Sequence, residues 1–131
     1  MNNKKRILIV DDNTTIADLA EIMLQAAGYE CTKVNSGKQC LDIVRESYRN
    51  GSDYDLILLD IAMPQFSGLD VLQAMKAEGY LENNKVVFFT ASSATNMEIE
   101  NFKKMGALDC LRKPFSKADL LSFVGRHLSS K

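Results

Sequence analysis

Five side chains of the kinds that handle phosphate and hard cations each follow a short apolar run. Asp11 and Asp12 come after Ile7-Leu8-Ile9-Val10, Asp60 after Leu56-Ile57-Leu58-Leu59, Thr90 after Val86-Val87-Phe88-Phe89, and Lys113 after the run from Ala107 to Leu111. Three carboxylates crowded into one cleft repel one another unless a cation shares them. Mg²⁺ suits such an all-oxygen set and keeps several waters, whereas soft metals want ligands that are missing here. Two charges from the metal and one from Lys113 formally balance the three acids. Asp60 is then neutralised enough to attack an electrophilic phosphoryl group, whose charge the metal, the ammonium and the Thr90 hydroxyl would hold.

These residues converge only if the runs are parallel strands, because ligands of an open α/β sheet bind outside the carboxyl ends of its strands. The chain alternates strand and helix five times. A strand from about Lys5 to Val10 precedes a helix with Ile16, Leu19, Ala20, Met23, Leu24 and Ala27 on one face, ended by Gly28. A strand over Tyr29 to Val34 leads to a helix through Arg49, with Ser36 and Gln39 as its capping box. Asn50-Gly51-Ser52 breaks the chain before the run ending at Asp60. Pro64 to Gly68 is then a loop, and Leu69, Leu72 and Met75 stripe a helix closed by Gly79.

The fourth strand spans about Lys85 to Phe89. The helix after it, roughly Thr95 to Met105, has only Ile99 and Phe102 as clear anchors and is expected to be the least tied down. Gly106 stops it, a strand runs Ala107 to Leu111, and Ser116 with Asp119 caps a last helix striped by Leu120, Leu121, Val124 and Leu128. Nearly continuous apolar strands separated by helices predict an α/β domain. Its five-stranded parallel sheet is doubly wound and covered on both faces by right-handed crossovers.

The 131 residues, 46% of them apolar, suit one domain over 1–131 with a core from about 6 to 128. A formal net charge of -1 favours neither nucleic acid nor an anionic membrane as a bulk partner. No apolar stretch approaches the ~20 residues that span a bilayer, and Met1 to Arg6 lead into a strand and not a signal-peptide core. A cytoplasmic chain is expected. Cys31, Cys40 and Cys110 have no C-x-x-C spacing and His127 is the single histidine, which disfavours zinc and disulfide frameworks. The cysteines read as small core residues, and His127 as a last-turn residue facing the negative end of the helix dipole.

The ordered motifs Ile-Leu-Ile-Val-Asp-Asp-Asn, Asp-Leu-Ile-Leu-Leu-Asp-Ile-Ala-Met-Pro with Ser-Gly-Leu-Asp, Phe-Thr-Ala, and Gly-Ala-Leu-Asp-Cys-Leu-Arg-Lys-Pro-Phe resemble receiver domains of two-component response regulators. The likeness runs from about Arg6 to Leu128. It implies a flavodoxin-like (βα)5 fold with strand order 2-1-3-4-5. By that resemblance, Asp60 accepts a phosphoryl group from the phosphohistidine of a histidine kinase or histidine phosphotransfer protein. Asp12, Asp60 and the Ala62 carbonyl would bind Mg²⁺ directly, with Asp11 acting mainly through a water. Lys113 would pair with the phosphoryl oxygens, and its bond to Pro114 is expected to be cis. Thr90 would move toward the phosphoryl group and pull the following loop.

The resemblance also implies that the chain catalyses its own phosphorylation and dephosphorylation without being an enzyme on outside substrates. An effector protein or output domain would read the change on the fourth helix, fifth strand and fifth helix, with no direct nucleic-acid or membrane contact. The polar ends, Met1 to Lys5 and Ser129 to Lys131, fit a stand-alone receiver or one cut from a larger regulator or hybrid kinase.

Two departures matter. Three positions before the lysine, where the family usually carries an aromatic residue that reports activation, stands Cys110, which has no ring to swing. Ala62 and Ser92 are small residues flanking the path of a hydrolytic water, so no unusually long-lived phosphoryl state is expected. A Mg²⁺-dependent phosphatase working through an aspartyl phosphate is the competing reading. It wants a second carboxylate two residues after its nucleophile, where this chain has Ala62. A receiver that only binds is disfavoured by the complete set of site residues.

Overall fold

The computed structural model describes residues 4–82 and 84–128. Five parallel strands form, β1 (Arg6–Val10), β2 (Glu30–Val34), β3 (Leu56–Asp60), β4 (Val86–Thr90) and β5 (Asp109–Arg112), with Val, Ile, Leu and Phe dominating the inner β1, β3 and β4 and polar residues entering the edge strands β2 and β5. Their order is β2-β1-β3-β4-β5, as the resemblance to receiver domains implies. Between and after them lie helices α1 (Thr14–Ala26), α2 (Gly37–Arg49), α3 (Gly68–Glu78), α4 (Asn96–Met105) and α5 (Lys117–Leu128).

Successive strand residues face opposite sides of the sheet, so two cores form. Leu8, Val10, Ile57, Leu59 and Phe88 pack with Val44, Leu72 and Met75 of α2 and α3. Ile7, Ile9, Leu58, Val87 and Phe89 pack with Leu24, Phe123 and Val124 of α1 and α5. Burying each large side chain contributes roughly 1.5–3 kcal/mol, which is why β3 and β4, buried along their whole lengths, are apolar at every position before the terminal Asp60 and Thr90.

The helix faces differ from the sequence pattern in detail. On α1 the buried residues are Ala17, Ala20 and Leu24, while Leu19 is 49% exposed and Ala27 is exposed too. Small alanines let α1 lie close to the sheet, which rotates Leu19 out to the rim. On α5, Phe123 is buried where Leu121 is only half-buried. β5 begins at Asp109 and not at Ala107. Ala107 and Leu108 instead close the turn from α4, donating to the carbonyls of Phe102 (3.1 Å) and Val86 (2.8 Å).

Reciprocal capping boxes start α3 (Ser67 with Asp70) and α4 (Thr95 with Glu98). Ser116 and Asp119 exchange the same pair of bonds ahead of α5. At α2, Ser36 accepts from the Gln39 amide, but the Gln39 side chain reaches back to the amide of Asn35, one residue before the cap. Arg45 holds α2 to α3 through a two-pronged pair with Glu78 at 2.9 and 2.7 Å. By contrast, α4 has no fully buried residue, as its sparse apolar pattern predicts. The polar ends, apart from Lys4 and Lys5, lie outside the described residues.

Candidate phosphoacceptor and metal site

All five singled-out side chains stand at the carboxyl ends of the strands. Asp11 extends the β1 ladder by one bond, its amide donating to the Val34 carbonyl, and is fully buried. One of its carboxylate oxygens accepts from the Asn13 amide at 2.9 Å, and the other from Lys113 Nζ at 2.9 Å. Asn13 in turn caps α1 by accepting from the Ile16 amide. Asp12 is exposed.

Asp60 ends β3 and is 5% exposed. Its Oδ1 accepts from Lys113 Nζ at 3.2 Å, so one ammonium bridges two carboxylates from different strands. Gly68 lets the start of α3 lie against the end of β3: its amide donates to the Ile61 carbonyl at 2.9 Å, and a Cβ there would collide with the Asp60 carbonyl oxygen. Thr90 ends β4, is buried, and its carbonyl accepts from the Lys113 amide at 2.7 Å. The Lys113–Pro114 bond is cis, as expected.

Burial and the neighbouring Asp11 charge push the Asp60 carboxyl up to about 6 against the opposing pull of Lys113. Burial alone would lower Lys113. Its bond to Asp11 and the charges of both acids outweigh that and hold the ammonium above its ordinary value. Ligand oxygens of Asp11, Asp12 and Asp60 all lie within 4.8 Å of one another. That spacing and the all-carboxylate chemistry fit a hard divalent cation. A cleft of about 200 Å³ runs from Asp60 and Ala62 past Thr90 to Ala94, Glu98 and Phe102 near α4.

Several participants were not singled out from the sequence. Glu98 faces the cleft because Thr-x-x-Glu opens α4, a capping signature that was readable. His127 is not merely set against the helix dipole, since its Nε2 lies 2.9 Å from Asp109 Oδ2, and Asp109 also sits 3.9 Å from Lys103 of α4. No local signal links residues 18 positions apart on β5 and α5. Cys110 is half-buried, and burial and Asp109 push its thiol up to about 11, leaving it a poor nucleophile.

A parallel sheet of this order with an acid-lined, lysine-bridged mouth defines a class, and the family model for the response regulator receiver domain matches residues 7–125. The chain belongs to that family and is a phosphoacceptor signalling module. It is 37% identical over 115 residues to the transcriptional regulatory protein YrkP of Bacillus subtilis, covering 88% of this chain and 46% of YrkP. It is 31% identical over 125 residues to the DNA-binding response regulator MtrA of Mycobacterium tuberculosis, covering 95% of this chain and 51% of MtrA. The chain thus spans about half the length of these relatives. The structure of chemotaxis protein CheY4 from Vibrio cholerae superposes with a TM-score of 0.84 at 26% identity, over 95% of this chain and 99% of that one. Among the described residues no helix is long and apolar enough to cross a membrane.

Proposed function

We propose that Asp60 is the phosphoacceptor and that this chain catalyses its own phosphorylation and dephosphorylation. The observation that carries the reading is the Lys113 ammonium shared between buried Asp11 and Asp60. An Asp60 carboxylate oxygen attacks the phosphorus of a phosphohistidine. The P–N bond breaks, and the departing imidazole takes a proton. Lys113 follows the charge onto the phosphoryl oxygens, and the Thr90 hydroxyl donates to another. Water later attacks phosphorus, the P–O bond to Asp60 breaks, and inorganic phosphate leaves with the carboxylate restored. Small Ala62 and Ser92 leave the water's path open.

Asp12, Asp60 and the Ala62 carbonyl would hold Mg²⁺, with Asp11 acting mainly through a water. The ion supplies charge neutralisation on the transferring group. Asp11 also keeps Lys113 aimed at Asp60.

The donor is a histidine kinase or histidine phosphotransfer protein. A groove of about 390 Å³ beside Lys113, lined by Ile16, Leu19, Met23, Pro114 and Phe115, offers its apolar docking surface. The output partner is an effector protein or output domain. Although MtrA is DNA-binding by name, the net charge of -1 supports no direct nucleic-acid contact by this cytoplasmic domain. We read residues 1–131 as one receiver domain. A phosphatase acting on outside substrates is opposed by Ala62, which supplies no general acid.

Intact mass after incubation with Mg²⁺ and a small acyl phosphate tests the reading. One phosphoryl adduct on wild type and none on Asp60→Asn is expected. An adduct of equal yield on both would overturn Asp60 as the acceptor.

A further inference from the structure

Cys110 is paired with Phe88 in the β4–β5 register, so both side chains leave the same face of the sheet. Thr90, two residues beyond Phe88, leaves that face as well. There is space beside Thr90, because the cleft extends past it to α4, and Cys110 does not line that cleft. The ring that reaches this space comes from the helix: Phe102 of α4 stands edge-on to Phe88, centroids 5.6 Å apart at 83°, and forms the far wall of the cleft that holds Asp60 and Thr90.

We propose that Phe102 is the aromatic through which this chain reads Thr90, coupling the acidic site to α4 directly and leaving β5 without a moving ring. This rests on the phosphoacceptor reading. If Thr90 shifts toward Asp60, it vacates volume that the Phe102 edge faces. A void strips its lining of contacts, so the ring is drawn in. None of α4 is fully buried, and the helix follows its main apolar anchor. At the Thr90 register, Arg112 bonds the Ala94 carbonyl at 3.2 Å and Asn96 Oδ1 at 3.0 Å, fixing the start of α4 in the resting arrangement. Phe102 touches no reacting atom and acts as a positioning residue.

The test is hydrogen exchange across the α4 amides of the full chain, with and without acyl phosphate and Mg²⁺, alongside intact mass. Wild type should change α4 exchange by at least threefold on phosphorylation. Phe102→Leu should be labelled within twofold of wild type yet lose most of that change, and Phe102→Met should do the same if the leucine variant folds poorly. Phe102→Tyr should restore the change, and Cys110→Ala should leave it intact. A full response in Phe102→Leu or Phe102→Met, or its loss in Cys110→Ala, would overturn the proposal. Absence of any adduct on wild type would instead bring down the phosphoacceptor reading beneath it.

Discussion

Lys113 Nζ lies 3.2 Å from Asp60 Oδ1, within bonding reach of the carboxylate expected to react. Removing that ammonium has two opposed effects. In Lys113→Met, three acids face one another without a cation, so Mg²⁺ should bind more tightly by calorimetry. Acyl-phosphate labelling of Asp60 should slow at least ~10-fold, since a lost charge contact of about 1.4 kcal/mol or more in the transition state is a factor of ten. Unchanged labelling would remove Lys113 from the mechanism.

The raised Asp60 carboxyl makes the metal-free protein less stable as it ionises. Its folded value, about 6, lies above the ordinary carboxylate value of 3.8. The native state therefore binds the proton more tightly, and this stability is present at acid pH and lost as pH rises through about 6. In chelator, Asp60→Asn should exceed wild type at pH 7.5 by on the order of 1–2 kcal/mol, after discounting for solvent at the cleft mouth. The gap should close near pH 4 and shrink on adding Mg²⁺. Urea melts at both pH values measure it.

The sheet was legible because strands buried on both faces must be apolar throughout, and a polar residue closing such a run marks a strand end. That pattern alone places Asp11, Asp60 and Thr90 together at one end of the sheet. Helix faces were less legible: Leu19 and Ala17 both satisfy a 3.6-residue period, and only the close approach of α1 to the sheet decides which turns inward. Contacts such as His127 with Asp109 were invisible, because each residue taken alone fits a solvated end. The role of Phe102 was half visible. Its apolar character marked it as an anchor of α4, but nothing local says that its ring meets Phe88 and the cleft.

Gly68→Ala should damage both fold and site. The added methyl would collide with the Asp60 carbonyl and crowd the Ile61 backbone, neither of which can yield like a side-chain tip. A loss of about 1–3 kcal/mol is expected from such overpacking, with slower labelling of Asp60 at matched folded fraction. Thermal denaturation combined with intact mass separates the two losses.

Asp109 is held below its ordinary value: burial would raise it, but the Cys110 amide, His127 and Lys103 prevail. A depressed carboxyl contributes stability above its unfolded value and loses it as pH falls through the folded one. Asp109→Asn should therefore cost about 1 kcal/mol at pH 7 and less at pH 3, below the ordinary carboxylate value of 3.8. An equal cost at both pH values would mean the charge is irrelevant.

The two-pronged Arg45–Glu78 pair ties α2 to α3, whereas α4, on the same face of the sheet, has no fully buried residue. On the phosphoacceptor reading, a protein seated on the far ends of α2 and α3, around Arg45 and Glu78, would meet a contour that changes less than that of α4, so that side would report mainly that the receiver is there. News of its chemical state would, by the Phe102 proposal, leave by the α4 side. An adaptor around Arg45 and Glu78 and a target on α4 could thus engage a single copy at once without competing.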